Sequence, residues 1–176
     1  MYAFDLQSGE QVWSKKAQAP LLSIRGTSSP IFFEGLIFAN FSNGRLAAIR
    51  ATDGIQLWEK PISVIKGSTE LEKLMDSDSP AIAFNDIVFA ANYNGSLTRF
   101  NIRGGEKVFS VDLSTSKPFI LYKDTIIAVN SDDEIVAFDA INGSETWKNS
   151  KYKFRRLTAP ILYLSLIHIS EPTRPY

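Results

Sequence analysis

The chain has no cysteine, one histidine and no excess of either charge. Without cysteine there are no disulfides, thiolate metal sites or cysteine nucleophiles. A lone histidine excludes His clusters and argues against a histidine-based triad. The 19 basic residues balance 19 acidic ones. No whole-chain field therefore draws a polyanion, and nucleic acid is not an expected partner. The longest mostly apolar stretch, Ala159 to Ile169, is broken by Ser165 and His168. It falls far short of the roughly 18 residues that read as a membrane span. No secretory leader opens the chain, because Met1 runs directly into an alternating, strand-like segment. These absences argue against most enzymes. The length of 176 residues suits one domain.

What is present is repetition, the first pattern to look for. One phrase occurs four times: Ala3 to Trp13, Ala48 to Trp58, Arg99 to Phe109 and Ala137 to Trp147. Each has a glycine four residues before its final aromatic, giving the pairs Gly9 and Trp13, Gly54 and Trp58, Gly105 and Phe109, Gly143 and Trp147. Each copy reads as a hairpin, in which a polar turn follows an alternating strand and glycine supplies a positive φ. Upstream of the last three copies stand Pro30, Pro80 and Pro118, each followed by two short apolar runs with a polar break between them. The second runs lead into turns at Asn43-Gly44, Asn94-Gly95 and Asp132-Asp133. Asn-Gly between apolar runs is a strong hairpin signal. Each unit is expected to be four short antiparallel strands.

Within a unit, the opening Pro and the Gly are 24, 25 and 25 residues apart, whereas the aromatic and the proline that opens the next unit, Pro160 being the last, are 17, 22, 9 and 13 apart. The interior is fixed and the connection varies. This all-β pattern matches the blades of a β-propeller, four-stranded sheets repeated about an axis. A β-sandwich is the alternative, but it does not require one phrase at the same place in every unit. The recurring aromatic is expected to pack one blade on the next. The expected layout is the end of a blade in 1–16, full blades in 29–60, 79–111 and 117–149, and a first strand in 157–163. About three complete blades do not close a ring, so the chain is expected to be the middle of a larger protein.

The last residues break the pattern. After Ile161-Leu162-Tyr163 the repeat calls for a polar turn and a second strand, and the sequence offers neither. Residues 164–176 resemble the in-frame translation of a transposon-derived sequencing adapter. They are expected to be a non-native tail that packs poorly and carries no function. Removing them takes away His168 and leaves the charges balanced.

The phrase resembles the repeat of pyrroloquinoline-quinone-type propellers, Ala-x-Asp-x-x-x-Gly-x-x-x-Trp. Three further segments, Leu21 to Gly26, Gly67 to Asp78 and Tyr93 to Thr98, narrow this to a resemblance to the BamB family. These are the propeller lipoproteins of the outer-membrane β-barrel assembly machinery. The resemblance implies an eight-bladed, PQQ-like ring at the periplasmic face of the bacterial outer membrane, held by an N-terminal lipid that this chain lacks. It implies binding to the POTRA domains of BamA and a role in folding outer-membrane proteins, which are candidate substrates in their unfolded form. It implies no cofactor, metal or catalytic residue. A quinoprotein dehydrogenase and a generic interaction propeller share the repeat and stay as alternatives. The former places an adjacent cysteine pair and a calcium site beside its quinone, and this chain has no cysteine.

The two longest connections, 14–29 and 59–79, are expected on one face as neighbours around the ring, where binding usually sits. The second contains Thr69-x-x-Glu72, a capping-box pattern, with Leu71, Leu74 and Met75 at helical spacing. A short helix ending before Asp76 is expected. Leu22, Ile24 and Arg25 read either as loop packing or as an apolar patch with an arginine at its edge. Asp76 and Asp78 read either as turn carboxylates or as groups that meet a basic partner. The resemblance favours partner binding for all five, with Ile24 departing from the family's leucine. Asp76-Ser77-Asp78 lacks the glycine and glutamate that a calcium loop needs. Asp132-Asp133-Glu134 reads as a solvated turn, and the basic run Lys151, Lys153, Arg155, Arg156 as a solvated face.

Overall fold

A computed structural model describes residues 1–15, 28–64 and 78–171. Sixteen strands are found among them: β1 (Tyr2–Phe4), β2 (Gln11–Ser14), β3 (Ile31–Phe33), β4 (Leu36–Phe41), β5 (Arg45–Arg50), β6 (Gln56–Pro61), β7 (Ile82–Phe84), β8 (Ile87–Ala91), β9 (Ser96–Asn101), β10 (Lys107–Asp112), β11 (Ile120–Tyr122), β12 (Thr125–Val129), β13 (Ile135–Asp139), β14 (Glu145–Asn149), β15 (Ile161–Tyr163) and β16 (Leu166–His168). Three four-stranded antiparallel sheets, β3 to β6, β7 to β10 and β11 to β14, are flanked by the two-stranded β1–β2 and β15–β16. The helix expected before Asp76 lies outside the described residues.

The sheets stack face to face. Strands buried on both faces read as unbroken apolar runs, because neighbouring side chains point into different cores. In β8, Val88 and Ala90 join one core with Phe38, Leu46, Trp58 and Phe100. Phe89 and Ala91 join a second with Leu97, Ile126, Ala128 and Phe138. A third core unites Trp13 with Ala47 and Ile49. Each core lies between two sheets, so the sheets are blades. First strands converge, with β3 touching β7 and β11 touching β15. They therefore lie nearest the axis of a β-propeller.

The repeated phrase makes the joint between blades. A Cβ on Gly54 would fall 2.7 Å from the Trp13 indole, one on Gly105 2.6 Å from Trp58, and one on Gly143 2.7 Å from the Phe109 ring. The same glycines have φ of +72°, +67° and +80°. Glycine is therefore required twice over, by its backbone and by the ring lying on it. The indole also donates across the joint, from Trp13 Nε1 to Ala51 O (3.0 Å) and from Trp58 Nε1 to Ile102 O (2.7 Å). Both acceptors stand three residues before the covered glycine. Trp147, which no later copy of the phrase in this chain covers, is 42% exposed.

The third joint is built differently. Phe109 has no side-chain N–H. Its partner across the β9–β10 ladder, Arg99, donates instead from Nη1 to Ala140 O (3.2 Å) and Ile141 O (2.7 Å). Ala140 is the counterpart of Ala51 and Ile102. In the first two joints the ladder partner of the tryptophan is an alanine, Ala3 or Ala48. An Arg–Phe pair here stands in for an Ala–Trp pair and reaches the same carbonyl.

The end of the chain departs from expectation. Leu164 and Ser165 make a two-residue turn, and β16 pairs with β15 in the register Ile161↔His168, Leu162↔Ile167 and Tyr163↔Leu166. A second strand does form, because backbone pairing along a short apolar segment needs no particular side chains. The turn is strained, however. Leu164 takes the left-handed φ of 55° that Glu34, Asn85 and Lys123 approach at the equivalent turns, and its side chain is exposed.

Candidate functional site

The connections between blades are the candidate binding elements. Of the five expected partner-binding residues, Leu22, Ile24, Arg25 and Asp76 lie outside the described residues. The described ends of their two connections meet. Ser28 Oγ donates to Ser79 O at 3.1 Å, and the buried Asn40 Nδ2 donates to the same carbonyl at 2.7 Å. The close of connection 14–29 is thereby tied to the close of 59–79. The start of the second connection is tied to the next blade: Ser63 Oγ donates to Asn92 Oδ1 (2.6 Å) and accepts from Ser96 N (2.7 Å). Thr98 Oγ1 donates to Ile62 O at 2.6 Å. Short hydroxyl side chains suit this work because they satisfy loop backbone without filling space.

Asp78 is half-buried, and its Oδ1 has no hydrogen-bond partner among the described residues. Burial holds its carboxyl above the usual carboxylate range. Asn40 Oδ1 is buried and unpaired among the same residues. Both oxygens belong to side chains at the Ser79 junction: Asn40 is bonded to Ser79, and Asp78 precedes it in sequence. Two acceptors without donors among the described residues can each take an N–H group.

The acidic turn read as solvated is largely buried. Asp133 and Glu134 are 6% and 5% exposed, while Asp132 stays exposed. Asp133 Oδ1 meets Lys117 Nζ at 2.5 Å and accepts from Leu157 N at 3.0 Å, and Oδ2 accepts from Arg156 N at 2.7 Å. Burial alone would raise its carboxyl, but Lys117 and the two amides overcome this and hold it low. Glu134 is held down to about 2, chiefly by Lys148 at 2.7 Å, with Ser150, Asn130 and Lys153 adding donors. Lys153, from the run read as a solvated face, lies 3.2 Å from Glu134. Lys151, Arg155 and Arg156 are exposed as expected. The sequence hid this network because Lys117, Ser150 and Leu157 stand 16 to 24 residues from the carboxylates they meet, and no local spacing links them.

The network shapes connection 150–157. Phe154 and Arg156 both have left-handed backbone, with φ of 60° and 57°. Each such non-glycine residue costs about 1–3 kcal/mol, and the surroundings must hold it there. The amides of Phe154, Arg156 and Leu157 bond to Asp132 O and the Asp133 carboxylate, which supply that hold.

Blades of four antiparallel strands, joined by an aromatic on a glycine, define a repeat propeller of the pyrroloquinoline-quinone-like class. A family model described as outer membrane protein assembly factor BamB matches residues 1–149, and the chain belongs to that family. Similar curated proteins include the outer membrane protein assembly factor BamB of Yersinia pestis, 31% identical over 171 residues, covering 97% of this chain and 44% of that one. The protein of the same name from Escherichia coli is 35% identical over 144 residues, covering 82% and 37%. The chain thus spans less than half the length of these relatives. The crystal structure of BamB from Moraxella catarrhalis superposes with a TM-score of 0.90 at 28% identity, over 97% of this chain and 52% of that one. A europium-containing methanol dehydrogenase shares the fold alone, with a TM-score of 0.64 at 12% identity over 84% of this chain and 37% of that one.

Proposed function

We propose that this chain is part of a non-enzymatic scaffold of outer-membrane protein assembly. In this reading it docks on the POTRA domains of BamA through the face formed by connections 14–29 and 59–79. Leu22 and Ile24 supply apolar contact, Arg25 a charged edge, and Asp76 and Asp78 the carboxylates. The protein works at the periplasmic face of the outer membrane, tethered by an N-terminal lipid outside this chain, and assists the folding and insertion of β-barrel proteins. The relatives' names support the assembly role. One observation carries the docking reading: Asp78 has a desolvated carboxylate oxygen without a donor among the described residues, at the junction where the two connections are tied together. A carboxylate oxygen that is desolvated without a donor among the described residues lowers stability and would be completed by a basic group brought by a partner. The reading concerns residues 1–163. We assign no role to residues 164–176, whose side chains depart from the polar turn of the repeat although their backbone follows it.

Titration calorimetry with the POTRA domains of BamA tests this. Asp78→Asn keeps the shape and removes the charge. Affinity is expected to fall by about 2 kcal/mol or more, the cost of breaking a buried charged pair. The thermal midpoint should hold or rise. Unchanged affinity rejects the docking reading for this residue.

A further inference from the structure

Connection 150–157 presents aromatic rings among cations. Phe154 is 73% exposed, and the Lys153 ammonium lies 5.7 Å from its centroid. Tyr152 sits between Lys151 and Arg155, whose cationic groups are 5.6 Å and 6.0 Å from its ring. Segment 150–157 holds four basic residues and no acidic one, in a chain that is neutral as a whole. Lys153 is turned to Glu134, but Lys151, Arg155 and Arg156 face solvent. The contact of Arg155 with Glu171, 3.4 Å, is exposed on both sides and adds little.

We propose that this loop contacts an anionic phospholipid surface. Phe154 enters the boundary between headgroups and acyl chains, and Lys151, Arg155 and Arg156 meet the phosphates. Three observations converge. The first is strain: an asparagine or glycine would hold the backbone of residue 154 more cheaply, yet a ring stands there that is packed in no core among the described residues. The second is rigidity, since the buried Asp133 carboxylate and the Asp132 carbonyl fix the loop through three amides. The third is charge, a local excess of one sign around a protruding apolar residue, which is the composition of interfacial membrane contacts. A protein partner would need a preformed pocket for the ring, whereas a fluid anionic surface yields to a protruding one. The proposal does not depend on the docking face described above.

Flotation of the full chain with vesicles tests it. Binding to vesicles of phosphatidylethanolamine and phosphatidylglycerol is expected, weak, salt-sensitive and absent with phosphatidylcholine alone. Arg155→Gln and Arg156→Gln should each weaken it roughly fivefold, equivalent to about 1 kcal/mol per cation near a charged surface. Phe154→Asn should weaken it too, while the thermal midpoint holds or rises because asparagine accepts the left-handed backbone. Circular dichroism on the same samples confirms that the variants are folded. No flotation with the anionic vesicles overturns the proposal, as does equal flotation with phosphatidylcholine or full binding by Phe154→Asn.

Discussion

The third joint between blades offers a direct test of how the repeat is held together. Arg99→Ala removes the guanidinium that serves Ala140 O and Ile141 O at 3.2 Å and 2.7 Å. Hydrogen bonds to a charged group are worth about 1.5–3 kcal/mol when buried. The Ile141 bond is exposed and the Ala140 bond only partly buried, so the expected cost is about 1–2 kcal/mol. Phe109→Trp alone places a larger ring beside Arg99, where the other joints have only an alanine methyl. Overpacking of that kind costs about 1–3 kcal/mol. The double variant recreates the Ala48–Trp58 arrangement, in which the indole N–H takes over the carbonyl. It also removes Arg99 Nε, which is buried without a partner among the described residues.

The double variant should therefore lie within about 1 kcal/mol of the parent, although both single variants are destabilised. The coupling between the two positions is then at least about 1 kcal/mol and about 3 kcal/mol at the middle of these ranges, beyond the additivity of independent sites. Urea unfolding of the parent, both singles and the double, followed by far-ultraviolet circular dichroism, gives the cycle. Additivity to within about 0.5 kcal/mol would refute the claim that the arginine and the phenylalanine replace an alanine and a tryptophan as a unit.

Two further outcomes are expected. Gly54→Ala and Gly105→Ala should cost about 2–4 kcal/mol, because a Cβ would meet an indole at 2.7 Å and 2.6 Å in addition to the positive φ. Gly9→Ala has nothing within 4 Å and should cost only about 1 kcal/mol, and equal costs in chemical denaturation would show that the ring contact is irrelevant. Glu134 should make stability fall with acid: its folded carboxyl is held down to about 2 from an ordinary 4.5, so its contribution is complete above 4.5 and drains away as pH falls towards 2. Glu134→Gln should flatten that slope, and a pH series of unfolding midpoints with identical slopes in both proteins would count against the network.

The blades were legible because their determinants are local and recur. Proline, the polar turns, the alternating or doubly apolar runs and the covered glycine all lie within a fixed span of 24 or 25 residues, and the aromatic follows four residues later. The candidate site was legible only in part. Asp78 could be picked out as a carboxylate in a long connection, but its missing donor is a property of the packed junction with Ser28, Asn40 and Ser79. The acidic turn was misread because burial of Asp133 and Glu134 depends on lysines delivered by two connections and by β14. Charge runs taken one at a time look solvated, and only the fold shows which of them neutralise each other.

The same division explains why the connections are free to differ. The joint is completed inside the phrase: the aromatic, the glycine it covers and the carbonyl three residues earlier all lie in the blades, and the interblade cores are built mostly from strand residues. A connection therefore need not set the register of the next blade. That is why the step from aromatic to proline can range from 9 to 22 residues without disturbing the repeat. Where a connection is instead pinned by a buried carboxylate, as 150–157 is by Asp133, the pinning serves the loop and not the blade joint. A loop held in this way has little freedom left to lose on contact, which is what the proposed contacts at the interblade connections require.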